Sequence, residues 1–199
     1  MTVRTATVRD ESQLMSLCRA LHQDNGIFTM DDDLVYRMLH SILQPEQDKV
    51  GGGVIGVIDG DDELAAAICI MFSHFWYSHD VHLEELFNFV RPEYRRTTYG
   101  REMLEFAKRC QQTLGLPLFT GIVTNKRLEA KVTMYRKKLG PPAGAFFVVG
   151  ATWQNEETRP CDDLWVNRHA DRGSKQVESI LPARMTTMTL PMMPIASAK

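Results

Sequence analysis

Several features that would assign this chain of 199 residues to a broad class of proteins are missing from it. No apolar run approaches the about 20 residues that a helix needs to cross a membrane. The 23 basic residues are outnumbered by 25 acidic ones and the net charge is -2, so we expect no general nucleic-acid-binding protein. The first residues, MTVRTATVRDESQ, lack the apolar core of a signal peptide, which favours a cytoplasmic location.

Cysteine is scarce, and its spacing favours neither a disulfide framework nor a zinc site. None of the four cysteines belongs to a C-x-x-C pair, and three of them lie in apolar, periodic segments. We therefore expect reduced, buried thiols at Cys18, Cys69, Cys110 and Cys161.

The sequence does contain a regular succession of strands and helices. Alternating or apolar runs predict strands over 2–8, 54–59, 63–75, 82–90, 118–123 and 145–153. Helix starts are predicted at 10–11, at 31–33, near 100 and at about 127. The strand 82–90, the helix 100–114 and the strand 118–123 predict a right-handed parallel crossover. This order indicates one α/β domain on a mixed sheet over 1–153, followed by a C-terminal tail over 154–199 that is irregular or partly disordered.

The helix start near Gly100 carries charges of the unexpected sign. The segment EYRRTTYGREML places Arg95, Arg96 and Arg101 at the positive end of a helix dipole. A tight loop that leads into a helix directs several backbone amides at one spot, and nearby arginines would complete an anion pocket suited to pyrophosphate. The alternative is a solvated basic turn that Thr97 or Thr98 caps without any ligand. The segment lacks G-x-x-x-x-G-K-[ST] and G-x-G-x-x-G, so neither a triphosphatase loop nor a dinucleotide fold is supported.

The longer segment VRPEYRRTTYGREML resembles the acetyl-CoA loop of the GNAT superfamily of N-acetyltransferases, with the pattern Q/R-x-x-G-x-G/A. Thr98 stands where the pattern has its first glycine, and a Cβ there could crowd the pyrophosphate or tilt the loop. The resemblance implies cofactor contacts from the loop, from Arg101 and from backbone groups on the preceding strand. The implied residues are Phe89, Val90, Arg95, Arg96, Thr97, Thr98, Tyr99, Gly100 and Arg101.

A second segment, TNKRLEAKVTMYRKKLG, is similar to the other cofactor segment of that superfamily. Asn125 and Tyr135 match its Asn and Tyr, although they lie about three residues further apart than is common in that superfamily. The order of elements from Val3 to Val149 also follows the superfamily, which implies a mostly antiparallel twisted sheet with flanking helices. The arrangement RPEYRR…AFFVVG resembles GNAT-like proteins of tailed-phage genomes.

The resemblance implies transfer of an acetyl group from acetyl-CoA, as co-substrate, to a primary amine that attacks the thioester directly. Counting back from the loop without a gap puts the base at Glu84, and a bulge in the strand would move it to Glu85. Tyr135 is the implied acid for the departing thiolate. The alternatives are two surface carboxylates and a core tyrosine on an amphipathic helix.

A second class of function stays open, namely a non-catalytic GNAT-like module that binds CoA or a partner protein. Thr98 and the longer spacing between Asn125 and Tyr135 favour this alternative. The amine acceptor is not readable, and the resemblance also allows a homodimer. We predict no metal site and no membrane partner, and we expect an aromatic hairpin to line the acceptor side of the cleft. This hairpin contains Phe75, Trp76 and Tyr77 and is flanked by His74, His79 and His82.

Overall fold

The computed structural model describes residues 3–44, 52–124, 126–149 and 153, and these form one sheet with helices on both sides. The strands are β1 (Arg4–Thr5), β2 (Gly53–Asp59), β3 (Leu64–His74), β4 (Val81–Val90) and β5 (Leu118–Phe119). The helices are α1 (Glu11–Asn25), α2 (Asp32–Leu43), α3 (Tyr99–Leu114) and α4 (Leu128–Leu139). Among the described residues, no helix combines the length and the apolar character that a membrane span requires. Residue 125 and the predicted tail over 154–199 lie outside the described residues.

The sheet has the order β1-β2-β3-β4-β5, and each strand pairs with its neighbour in sequence. The first three pairs are antiparallel, whereas β4 and β5 are parallel and are connected through α3. The mixed, mostly antiparallel sheet with flanking helices is therefore confirmed. A parallel pair needs a crossover connection, and the amphipathic α3 provides it.

The core consists of two apolar clusters, and alternate residues of β3 contribute to each of them. Ala67 and Cys69 join the cluster that contains the buried residues of α1 and α2, such as Leu14 and Leu39. Ile68, on the other face, joins the cluster that contains the buried side chains of α3. This alternation follows from the pleat of a strand and explains why β3 is buried along most of its length.

A bulge interrupts the pairing of β3 with β4. Cys69 is paired with Phe87, but the next residue, Ile70, is paired with Glu85. Leu86 is therefore an extra residue without a counterpart on β3, and its side chain is exposed. An extra residue in one strand changes which side chains share a face from that point onward.

The first strand is shorter than the predicted 2–8. Arg4 forms hydrogen bonds of 2.8 and 2.9 Å with the two carboxylate oxygens of Asp10, and the amide of Thr7 donates to Asp10 at 2.7 Å. These contacts turn the chain into a short 3-10 helix over Val8–Asp10, so the strand ends at Thr5.

The last two predicted strands differ more from the prediction. Strand β5 is confined to Leu118–Phe119, and residues 120–123 form no strand. The strand over 145–153 is wrong for its described residues, because 145–149 and 153 are not in a strand and side chains such as that of Phe147 are exposed. β-Branched and aromatic residues favour a strand only where a neighbouring backbone completes the ladder, and β5 ends after two residues.

Replacing Gly56 with alanine should lower the free energy of unfolding by about 1–3 kcal/mol, because a new Cβ would crowd its neighbours. It would lie 2.8 Å from two ring atoms of Phe106 and 2.9 Å from a methyl group of Val3. Urea unfolding followed by circular dichroism measures the change. Gly144→Ala is the control, since a methyl group there meets no atom within 4 Å. Equal urea midpoints for the two variants would contradict this packing.

Candidate active site

Strands β4 and β5 pair over only a short length. The two strands share only the pairs Leu83–Leu118 and Glu84–Phe119. Beyond these pairs, within the part of the chain that the structure describes, residues 85–90 of β4 have no strand beside them on the β5 side. A parallel pair that separates in this way leaves backbone donors and acceptors available to a ligand. Helix α4 contributes a tyrosine to this region.

Three polar side chains meet at this separation. Tyr135, on α4, donates a hydrogen bond of 2.6 Å from its hydroxyl to Oε1 of Glu85. The side-chain amide of Asn88 donates to the same hydroxyl oxygen at 3.1 Å. We call these residues, Glu85, Asn88 and Tyr135, the Tyr135 cluster.

The bulge makes this cluster possible. In a regular strand, Glu85 and Asn88 would point to opposite faces because they are three residues apart. The extra residue Leu86 lies between them and brings both side chains to the face of Tyr135. Asn88 was missed in the sequence analysis, although a single amide within the apolar run LFNFV is a recognisable signal.

The environment of Glu85 favours its neutral form. Its Oε2 atom is buried and has no hydrogen-bond partner among the described residues. Burial raises the pKa of Glu85 to about 7 against an ordinary value of 4.5, although the bond from Tyr135 works in the opposite direction. Burial and the neighbouring carboxyl group both raise the pKa of Tyr135 well above its usual range. A carboxyl group with a pKa near neutrality is suited to proton transfer.

The other carboxyl candidate, Glu84, lies elsewhere. Its side chain is exposed, and its backbone is paired with Met71 on one side and Phe119 on the other. No hydrogen bond or ion pair joins Glu84 to Tyr135 in the described residues. The geometry brings Glu85, and not Glu84, together with the predicted acid.

The loop before α3 presents backbone amides at the helix start. The amides of Arg96, Thr98 and Gly100 have no hydrogen-bond partner among the described residues. The amide of Tyr99 is bonded within the loop, and that of Arg101 donates to the Thr98 carbonyl at 2.9 Å. Three available donors at a helix N-terminus form the kind of place where a phosphate group binds.

The three arginines of this segment differ in their partners. Arg95 donates to a carboxylate oxygen of Asp24 at 2.5 Å and to the Val90 carbonyl at 3.3 Å, and it lies 5.7 Å from the ring centroid of the buried Phe89. Arg96 and Arg101 are exposed and form no ion pair within the described residues. The unexpected charge is thus partly neutralised by the protein itself.

Thr98, which replaces the expected glycine, has φ -85° and ψ -2°, a conformation that any residue adopts. Its hydroxyl donates to Glu102 at 2.5 Å, and Glu102 is an acidic residue in the first turn of α3, where the arginines had suggested only positive charge. Thr97 caps the loop, because its hydroxyl bonds the Tyr94 carbonyl at 2.6 Å. A methyl group added to Gly100 would meet Met134 at 3.4 Å, an ordinary contact, so packing alone does not require glycine there.

An ion-pair network joins the loop to the helix α1 and to the segment before α4. Asp24, near the end of α1, contacts Arg95 and also Lys126, the latter at 3.1 Å. Burial alone would raise the pKa of Asp24, but the hydrogen bonds from Lys126 and Arg95 outweigh it and hold the pKa below its ordinary value. Next to Asp24, Asn25 accepts a hydrogen bond of 2.6 Å from Thr124. The predicted contact Asn125 lies outside the described residues.

The aromatic hairpin at the end of β3 forms a partly exposed surface. The ring of Phe75 stacks on Tyr77 with centroids 5.4 Å apart, and it lies 4.6 Å from His82 and 5.0 Å from Phe119. Trp76 is 93% exposed. His82 is buried among these rings, an environment typical of packing. No group of three or more metal-binding side chains occurs among the described residues.

Neither a protein-family model nor a curated protein matches this sequence. Solved structures do match. A predicted acetyltransferase from Clostridium acetobutylicum, with acetyl-CoA, has a TM-score of 0.58 and 16% identity, covering 74% of this chain and 94% of that chain. An integron cassette protein from the mobile metagenome of Cole Harbour Salt Marsh has a TM-score of 0.57 and 21% identity, covering 74% and 88%.

A third similar structure is an aminoglycoside 6'-N-acetyltransferase from Acinetobacter haemolyticus. It has a TM-score of 0.52 and 11% identity, and the match covers 75% of this chain and 95% of that chain. At such low identity the likeness concerns the arrangement of the backbone. The protein described here therefore has the α/β fold of these acetyltransferases, as the sequence predicts.

Proposed function

We propose that this protein is an N-acetyltransferase that moves an acetyl group from acetyl-CoA to a primary amine by direct attack. The observation that supports this proposal most is the hydrogen bond of 2.6 Å between Tyr135 and the buried Glu85 at the point where β4 leaves β5. It joins a candidate base to a candidate acid beside an open strand edge. Direct transfer requires these two groups and needs no nucleophile from the enzyme.

Glu85 is the base in this proposal. Its Oε2 is buried and has no partner among the described residues, so the ammonium group of the acceptor would supply the missing donor before it loses a proton and attacks as the neutral amine. With a pKa near 7, the carboxylate can accept a proton near neutral pH and can also release it afterwards. Tyr135 donates a proton to the departing sulfur. Glu84, which is exposed and takes no part in this hydrogen bond, has no role in the proposed chemistry.

The loop before α3 fits the diphosphate of acetyl-CoA. The amides of Arg96, Thr98 and Gly100 are available donors, and the exposed guanidinium groups of Arg96 and Arg101 add positive charge. The backbone groups of β4 at Phe89 and Val90 would contact the pantetheine arm. The similar structure from Clostridium acetobutylicum contains acetyl-CoA, which supports the same co-substrate here.

The alternative is a module of the same fold that binds CoA or a partner protein without turnover. Two contacts favour it, because each reduces the positive charge available to a phosphate. Arg95 is paired with Asp24, and Glu102 lies in the first turn of α3. Thiol release from acetyl-CoA in the presence of an amine separates the two functions, since only the enzyme produces it. The acceptor panel consists of kanamycin, spermidine and a peptide with a free N-terminal alanine.

Arg96→Gln should weaken the binding of acetyl-CoA at least about tenfold, because a charge-assisted hydrogen bond to phosphate contributes about 1.5–3 kcal/mol. Arg96 forms no ion pair among the described residues, so the fold should not change. Isothermal titration calorimetry gives the dissociation constant. Arg37→Gln, an exposed arginine of α2, is the matched control. Equal affinities of the two variants for acetyl-CoA would contradict the proposal that the loop before α3 binds the diphosphate.

Glu85→Gln should lower kcat about a hundredfold and abolish a pH dependence that the parent protein shows. As the base, Glu85 must be ionised, so the parent rate should rise with pH and level off above the pKa of about 7. The pH profile of thiol release measures this limb. Glu84→Gln is measured at each pH as the comparison. A larger loss of kcat in Glu84→Gln than in Glu85→Gln would make Glu84, and not Glu85, the base.

The same residue should make folding stability depend on pH. The folded-state pKa of Glu85, about 7, lies above its ordinary value of 4.5, so its favourable contribution is complete below pH 4.5 and is lost as the pH rises through 7. Relative to Glu85→Gln, the parent should lose up to about 3 kcal/mol of unfolding free energy as the pH rises to about 8. Urea unfolding at several pH values measures this difference. Parallel stability curves for the two proteins would mean that Glu85 titrates normally.

A further inference from the structure

We propose that Glu85 and Tyr135 form one proton relay, oriented by Asn88, which carries the proton lost by the amine to the departing sulfur. This inference rests on the proposed acetyl transfer and concerns how its two proton transfers are coupled. Two groups that act separately would each exchange protons with water. In this structure they are joined by a hydrogen bond of 2.6 Å, so a proton can pass between them without water.

The geometry gives each oxygen of Glu85 a separate task. Oε1 accepts the hydrogen bond from Tyr135, whereas Oε2 is buried and has no partner in the described residues. The oxygen without a partner, Oε2, is therefore the one left to accept a proton from the amine, which must uncover this buried atom as it binds. Asn88 donates to the Tyr135 hydroxyl oxygen at 3.1 Å, which directs the hydroxyl proton toward Glu85 in the resting state.

The relay runs in three balanced steps. An N–H bond of the amine breaks as Oε2 of Glu85 gains the proton, and the nitrogen forms a bond to the carbonyl carbon of the thioester. The C–S bond of the thioester then breaks, and the O–H bond of Tyr135 breaks as the departing sulfur gains its proton, while Asn88 stabilises the phenolate oxygen. The carboxyl group of Glu85 then turns about its Cγ–Cδ bond and gives its proton to Tyr135. One proton has moved from nitrogen to sulfur, and both residues have returned to their initial states.

The direction of the central hydrogen bond is what couples the two transfers. An ionised carboxylate can only accept, so Tyr135 donates to Glu85 before the reaction. A protonated carboxyl group can donate, so the bond reverses once Tyr135 has given its proton to the sulfur and the carboxyl group has turned. The proton taken from the amine thereby restores the Tyr135 hydroxyl. Asn88 is a positioning residue, because it acts on the reaction only through Tyr135.

The experiment measures thiol release from acetyl-CoA in single turnovers, with enzyme in excess, so that product release does not limit the rate. The acceptor is the most active of kanamycin, spermidine and the N-terminal alanine peptide. Glu85→Gln and Tyr135→Phe should each slow the step about a hundredfold, and the double variant should be no slower than the slower single variant. Tyr36→Phe and Glu105→Gln, which lie outside the Tyr135 cluster, are the matched controls.

Mixtures of light and heavy water provide a second readout. The rate of the parent protein should depend on the deuterium fraction along a curve, because more than one proton moves in the slow step. Tyr135→Phe should give a straight line. Asn88→Leu should lower the rate constant about tenfold and leave the half-saturating amine concentration unchanged, since orientation and not binding is lost.

The outcomes are distinguishable. Single-variant losses that multiply in the double variant, or a straight line for the active parent protein, would overturn the relay and leave acetyl transfer in place. An absence of thiol release with every acceptor would instead contradict the proposed function, and the relay with it. Losses that do not multiply, together with the curved dependence of the parent, would support both.

Discussion

The extra residue Leu86 in β4 is the constraint on which the candidate site depends. Side chains in a strand alternate between its two faces, so a single added residue decides which ones meet. Here it brings Glu85 and Asn88 to the same tyrosine of α4. Without it, the pairing register downstream of Cys69 would shift by one residue, and one of these two side chains would turn away.

The buried carboxyl group of Glu85 lowers the stability of the fold. Its Oε2 has no partner among the described residues, which is unfavourable, and an apolar residue in its place would avoid that penalty. The two apolar clusters on either side of the sheet provide the stability that this arrangement requires. The separation of β4 from β5 also leaves backbone groups of β4 that need another partner, such as water or a ligand.

The elements of the fold were largely predictable from sequence, whereas contacts between distant residues were not. Apolar periodicity located β3, β4 and α3 because burial selects for it. The bulge has no signature in the letters HLEELFNFV, so the sequence left Glu84 and Glu85 as alternatives, and the structure joins only Glu85 to Tyr135. The run AFFVV predicted a strand, but propensity says nothing about whether a partner is present. The arginines before α3 were recognisable, yet the carboxylate that pairs with Arg95 lies 71 positions away along the chain.

That carboxylate, Asp24, links the loop before α3 to a helix with which it shares no sequence motif. Because Asp24 contacts both Arg95 and Lys126, the end of α1 joins the loop before α3 to the segment before α4. A relative that keeps the arginine loop but changes this aspartate would therefore differ in the charge and mobility of the loop. Comparison of the loop sequences alone would not distinguish the two proteins. Covariation among positions 24, 95 and 126 in related sequences would reveal the connection.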